Sequence, residues 1–188
     1  MPLWEAAVNS PVEIRQLNTR VVYRNRWMTV REDEIERSDG SNGLYGVVEK
    51  PAFAVILAMS NQKIYLVEQY RYPVGRRFWE LPQGSWEDRE VDAADLARAE
   101  LREETGLVAG NVRHVGHLFL AYGFCTQEYD VYLARDLVQG EPEREPEEQG
   151  LVVKAFAVEE VEDMIRCGEI QDATTVAAFS LARLNGWI

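Results

Sequence analysis

The sequence predicts an α+β protein with a small antiparallel sheet at its N-terminal end. Three observations carry that prediction. Residues 20–31 and 44–49 are strand-type segments on either side of a turn cluster, Ser38–Gly43. Residues 52–59 form a continuous apolar run of strand length, and residues 63–70 alternate after it. Residues 92–105 repeat apolar side chains at helical spacing and stop at Gly106, which suits a left-handed cap.

Each element follows in order. Val, Tyr, Trp and Thr enrich residues 20–31, which read as one strand or two, and residues 44–49 return from the turn. The run at 52–59 reads as a buried central strand, and Asn61-Gln62 turns the chain into residues 63–70. A loop containing Pro73 and Gly75 leads to Trp79-Glu-Leu-Pro-Gln-Gly84 and then to the helix. Residues 112–122 and 128–134 read as two more strands, residues 140–150 as an acidic loop, and 152–158 as a last strand. Two helices, 159–167 and 172–184, close the chain.

Composition limits what such a protein does. With 188 residues there is enough chain for one well-buried core and a small appended subdomain, here divided as 1–50 and 51–188. A net charge of −12 argues against a nucleic-acid partner, which needs a basic patch. By itself that charge suits a solvated acidic surface as well as cation binding. No apolar stretch reaches the length of a membrane span. Met1-Pro-Leu-Trp-Glu5 has no basic flank before an apolar run, and Cys125 and Cys167 are too few for a disulfide scaffold. A cytoplasmic setting is the expectation.

The helix at 92–105 points to chemistry. Stepping about 100° per residue from Ala93 puts Leu96, Ala97 and Leu101 on one stripe, at roughly −60°, +40° and +80°. Asp95, Arg98 and Arg102 fall on the opposite side. Glu100 and Glu104 fall at about −20° and +20°, in the middle of the apolar stripe, and Glu103 sits at its edge. Buried carboxylates must be paired, neutralised or metal-bound. An Arg from another element is the competing explanation. Oxygen ligands at this spacing suit Mg²⁺ or Mn²⁺, which keep part of their hydration and take further ligands from substrate phosphates.

With those residues in place, the sequence resembles the Nudix hydrolase signature. Gly84, Glu90, Glu100, Leu101, Glu103, Glu104, Gly106 and Leu107 match its fixed positions. The fit departs from the pattern twice. Eight residues rather than seven separate Glu90 from the next motif position, and that position is Ala99 where the family has an Arg that orients the catalytic Glu. Arg98 is no substitute, because it lies roughly 160° around the helix from Glu100. Glu68-Gln-Tyr-Arg-Tyr-Pro73, Trp79–Gly84 and the tail from Ile165 to Asp172 resemble the branch acting on ADP-ribose and related nucleoside diphosphate sugars. That branch typically has Pro before Gly in the strand region after the motif, where this chain has Tyr122 before Gly123.

The resemblance implies an α/β/α sandwich preceded by a β subdomain that builds a homodimer and helps to bind the base. It implies Glu100, Glu104 and Glu103 as ligands to the cation, with the carbonyl of Gln83 added. A late-loop Glu, either Glu147 or Glu148, would be base or ligand, with a solvated loop as its ordinary alternative. Glu128 is a further candidate at the substrate. Arg71 would face the substrate phosphates, a surface ion pair being the alternative, and Glu80 would support the site. Tyr23, Trp27 and Trp86 offer faces for a base, with core packing as their commoner use. His114 and His117 have no acid cluster beside them in sequence and read as structural. The competing functions are a nucleotide-binding module that has lost the chemistry, and hydrolysis of dinucleoside polyphosphates or nucleotide cofactors.

Overall fold

The computed structural model describes residues 12–85, 92–143 and 150–188. Within them the chain forms two compact units, one reaching to Lys50 and including Ala121–Thr126, the other holding Pro51–Leu120 and Gln127–Ile188.

The first unit is an antiparallel sheet of β1 (Ile14–Arg24), β2 (Thr29–Arg37) and β3 (Asn42–Glu49), in that order. Residues 121–126 join it, with Val48 N donating to Phe124 O at 2.8 Å and Tyr45 Oη donating to Gly123 O at 2.7 Å. β1 begins earlier than residue 20 and breaks before Thr29. Its side chains are exposed along its whole length, so its N-terminal half carries no apolar alternation to read. β2 likewise runs on through charged residues, with cross-strand pairs such as Arg20–Glu32 at 2.8 Å.

The second unit has a mixed sheet. Its main path is β10 (Val152–Ala157), β5 (Lys63–Arg71), β4 (Phe53–Ser60), β9 (Glu128–Gln139) and β8 (Leu107–Phe119). β6 (Arg76–Glu80) pairs with β5, and β7 (Gln83–Gly84) with β4. The central strand β4 lies parallel to β9 and antiparallel to β5. Its alternation splits the core. Val55, Leu57 and Met59 pack with Val161, Met164, Ala178 and Phe179 of α2 (Val158–Arg166) and α3 (Ala173–Leu184). Ala54, Ile56 and Ala58 pack with Leu96, Ala97 and Leu101 of α1 (Ala93–Thr105) on the other face. Helices on both faces make this unit the expected α/β/α sandwich. The small residues on the second face let α1 lie close to the sheet.

β6 is the element that sequence patterning leaves as loop. Its Arg-Arg-Phe-Trp-Glu has only Glu80 buried, so it shows neither a continuous apolar run nor a clean alternation. β8 starts at Leu107, directly after the helix cap, rather than at residue 112. Its first residues are mostly exposed and include Gly110 and Asn111, poor strand formers.

The α1–β8 junction depends on Gly106. Its φ of +76° is left-handed, and its N–H donates to Arg102 O at 2.8 Å. A Cβ there would stand 2.6 Å from Gly140 O and 2.9 Å from Gln139 Nε2. Gly106→Ala is expected to destabilise the protein by about 2–4 kcal/mol, adding left-handed strain to overpacking. Urea unfolding measures this, and an unchanged midpoint with unchanged slope would contradict the cap.

Candidate active site

α1 begins at Asp92, whose carboxylate accepts from Ala94 N at 2.9 Å and caps the first turn. Leu96, Ala97 and Leu101 are buried, as the helical stripe requires. Glu100 and Glu104 are buried with them, at 6% and 2% exposure, while Glu103 is half-buried. The polar side behaves as the wheel predicts. Arg98 donates to Asp95 at 3.1 Å in solvent, and Arg102 pairs with Glu143. Arg98 is therefore engaged away from Glu100, and Ala99 supplies no donor.

The strand facing Glu100 is β7. Gly84 pairs with Ala54 and Gln83 with Val55 on β4. The carboxylate of Glu100 fills the space beside Gly84 that a Cβ would take. A Cβ at residue 84 would meet its Oε2 at 2.2 Å and Oε1 at 2.6 Å. A Cβ at residue 84 would therefore require the Glu100 carboxylate to move from where it lies. The main chain reaching Gly84 is fixed by Ile56 N, which donates to Pro82 O at 2.8 Å.

A second cluster lies on the approach to β7. Glu80, at 2% exposure, takes Arg71 Nε onto Oε2 at 3.2 Å, while Arg71 Nη2 stands 2.7 Å from Oε1 as an ion contact. Gln83 Nε2 donates to the same Glu80 oxygen at 3.1 Å and to Asp172 Oδ2 at 3.5 Å. Asp172 caps α3 by accepting from Thr175 N at 2.7 Å. It also accepts from Thr175 Oγ1 at 2.7 Å, and that oxygen receives Leu81 N at 2.9 Å. Burial raises the Glu80 carboxyl above its ordinary range against the pull of Arg71, and Asp172 adds to the rise. Burial and then Asp172 likewise raise the Tyr129 phenol. A cavity of about 470 Å³ opens beside Arg71 and Asp172, lined also by Pro73, Val74, Phe78 and Gln171.

The remaining sequence candidates divide. Glu128 stands at the start of β9, where one oxygen lies 3.4 Å from His117 Nε2. His114 and His117 do have acids beside them: both approach Asp130 Oδ1, at 2.7 and 3.2 Å. A bulge between His114 and Gly116 turns both rings toward Asp130 on β9, a pairing across strands that spacing along one strand does not show. Tyr23 and Trp27 belong to the first unit and are 54% and 46% exposed, so neither is a core residue; Arg26 lies over the Trp27 ring at 4.7 Å. Glu90, Trp86, Glu147 and Glu148 lie outside the described residues. Sequence reasoning missed Asp172 and Thr175. Asp172 is legible as a helix cap, but the use of the same carboxylate on Gln83 and of Thr175 on Leu81 is a tertiary contact with no local signal.

The residues present fit a hard divalent cation. Two buried carboxylates one helical turn apart and the main chain at Gln83 offer oxygen donors. Among the described residues no three His, Cys, Asp or Glu side chains are grouped so as to hold a metal ion by themselves. Such a site draws further ligands from main chain, water and phosphate.

Known proteins resemble this chain over most of its length. Residues 48–179 match the model of the NUDIX domain, and residues 14–48 match the nucleoside diphosphate sugar hydrolase N-terminal domain. An ADP-ribose pyrophosphatase of Mycobacterium tuberculosis is 30% identical over 167 residues, covering 88% of this chain and 81% of that protein. An ADP-ribose pyrophosphatase of Bacillus subtilis is 26% identical over 176 residues, covering 93% and 95%. The crystal structure of an ADP compounds hydrolase superposes with a TM-score of 0.84 at 22% identity, over 95% of this chain and 97% of that one, and shares the fold.

The raised Glu80 carboxyl has a consequence for stability. A carboxyl whose pKa is higher when folded contributes stability below its unfolded value, near 4.5, and loses it as pH rises through the folded value. Wild type is therefore expected to lose thermal stability relative to Glu80→Gln as pH rises from 4.5 upward. Parallel melting curves across that range check the sign.

Proposed function

The chain belongs to the NUDIX family, and from that premise we propose that it hydrolyses the diphosphate bond of ADP-ribose or a similar nucleoside diphosphate sugar. The products would be a nucleoside monophosphate and a sugar phosphate. The reaction class follows from the family: the chain is a pyrophosphohydrolase of the ADP-ribose pyrophosphatase-like branch. The observation that carries the site assignment is the burial of Glu100 and Glu104 on the core face of α1, with Glu100 beside Gly84.

In this reading Glu100, Glu104 and Glu103, with the Gln83 carbonyl, hold Mg²⁺ or Mn²⁺. A cation bound there supplies charge neutralisation on the diphosphate and lowers the pKa of a bound water. Arg71 presents its partly exposed guanidinium to the phosphates, and buried Glu80 holds it in place at the mouth of the cavity. Glu148 or Glu147 serves as late-loop base or ligand, and Glu128 borders the substrate. Tyr23 and Trp27 stack on the base.

The first unit makes a homodimer in this reading. β1 is an edge strand of 11 residues whose Ile14, Leu17, Val21 and Val22 are 46–50% exposed, an apolar edge that a second copy would cover. The described residues contain no helix long and apolar enough to cross a membrane, and Cys125 and Cys167 form no disulfide, which suits a reducing cytoplasm.

The test is a panel of ADP-ribose, other nucleoside diphosphate sugars, dinucleoside polyphosphates and nucleotide cofactors, with Mg²⁺ or Mn²⁺ and product identification. ADP-ribose or a close relative is expected to give the highest kcat/KM. Glu104→Gln should lower it by more than about 100-fold, beyond the effect typical of an outer-shell partner. Absence of turnover on the whole panel would overturn the reading; binding without turnover would favour a module that kept the fold alone, the alternative that Ala99 motivates.

A further inference from the structure

We propose that the cavity beside Arg71 receives the sugar of the substrate's sugar-phosphate half, and that Asp172 selects for it by accepting its hydroxyls. The proposal deepens the reading above and rests on it, because Arg71 must hold the diphosphate at the mouth.

The cavity, of about 470 Å³, is of small-molecule size, and its two ends differ in charge. At one end Arg71 is partly exposed and is gripped from its buried side by Glu80, through Nε at 3.2 Å and Nη2 at 2.7 Å. A guanidinium carries five N–H donors, so that grip leaves donors for a phosphate. At the other end stands the Asp172 carboxylate, which repels a phosphate. The diphosphate therefore belongs at Arg71 and a neutral group at Asp172. Gln83 Nε2 spaces the two ends, donating to Glu80 Oε2 at 3.1 Å and to Asp172 Oδ2 at 3.5 Å. Two hydrogen bonds thus separate Asp172 from the acid that holds Arg71, a gap on the scale of one sugar ring.

The wall at that end is made for hydroxyls. Thr175 N and Thr175 Oγ1 each donate to Asp172 Oδ2 at 2.7 Å, and Gln83 reaches the same oxygen. Among the described residues these donors all fall on Oδ2, so the fold anchors the carboxylate by one oxygen and Oδ1 is the acceptor it offers to the cavity. Beside it, Gln171 Oε1 receives Arg76 Nη2 at 2.9 Å, which leaves the amide N–H groups of Gln171 as donors. An acceptor next to a donor matches a hydroxyl, which both gives and takes a hydrogen bond. Pro73 and Val74 add apolar surface for the C–H faces of a ring. A base is better served by free aromatic faces. Here Arg76 lies over the Phe78 ring at 4.7 Å and takes one face of it. The ligand class is thus a neutral sugar with adjacent hydroxyls, carried on the diphosphate.

The experiment compares two substrates with the same scissile bond: the best nucleoside diphosphate sugar of the panel above, and the β-methyl ester of the same nucleoside diphosphate, which has no sugar. Asp172→Asn keeps a good helix cap and a carbonyl for Thr175, but sets an amide N–H₂ where the hydroxyls need an acceptor. Gln171→Leu removes the neighbouring donor at an exposed position, so it tests the wall without touching the cap. Wild type is expected to favour the sugar in kcat/KM. Asp172→Asn should cut that preference by about 10-fold or more, the loss expected for a hydrogen bond to a charged group, and Gln171→Leu by about 3-fold. A merely structural fault lowers both substrates together and leaves their ratio unchanged. No preference in wild type, or the wild-type ratio in both variants, would overturn the proposal and leave the pyrophosphohydrolase reading standing; if Asp172→Asn does not fold, the ratio in Gln171→Leu decides. Failure of wild type to turn over any nucleoside diphosphate sugar would overturn the reading of function and this proposal with it.

Discussion

The structure depends on two carboxylates placed where a helix should be apolar. Glu100 and Glu104 share the buried face of α1 with Leu96, Ala97 and Leu101. A buried charge is costly unless its surroundings compensate it. The fold brings α1 against β7 at Gly84, where the absence of a Cβ leaves space that the Glu100 carboxylate fills. The acids are thereby held at the meeting of a helix and a strand, both fixed by the central sheet.

That placement sets demands on the elements around it. β4 carries Ala54, Ile56 and Ala58 toward α1, and the two alanines keep the helix low on the sheet. Asp92 and Gly106 fix where the helix starts and stops, so the register of Glu100 and Glu104 cannot drift along the core. On the opposite face, α3 packs Ala178 and Ala182 into the other half of the core and carries Asp172 and Thr175 to the start of β7. The two helix layers therefore converge on one short strand from opposite faces of the sheet.

How much of this was legible in the sequence follows from where each signal comes from. The α1 face was legible residue by residue, because helical periodicity is local and the misplaced acids stand out against it. The central strand was legible because both its faces are buried, giving the unbroken run at 52–59. The start of β1, the length of β2 and the whole of β6 were not, because solvent-facing or short strands leave no period in hydropathy. The clusters at Asp130 and Asp172 were not legible either. In the first, a bulge brings His114 and His117 to one acid on a neighbouring strand. In the second, residues ninety positions apart meet, as Thr175 does with Leu81 (|i−j| of 94). Such contacts exist only once the sheet is assembled.

Ala99 shows why the two kinds of information are needed together. Read along the chain, it is a missing donor, and Arg98 is its nearest replacement. Helix geometry removes Arg98, and the structure finds it bound to Asp95. Beside Glu100 runs a strand whose main chain is bonded at Leu81 and Pro82 and whose Gln83 side chain donates to Glu80 and Asp172. Those bonds tie the segment leading to β7 to the central strand β4 on one side and to the start of α3 on the other, so the strand beside Glu100 is placed by contacts that no local pattern in the sequence announces.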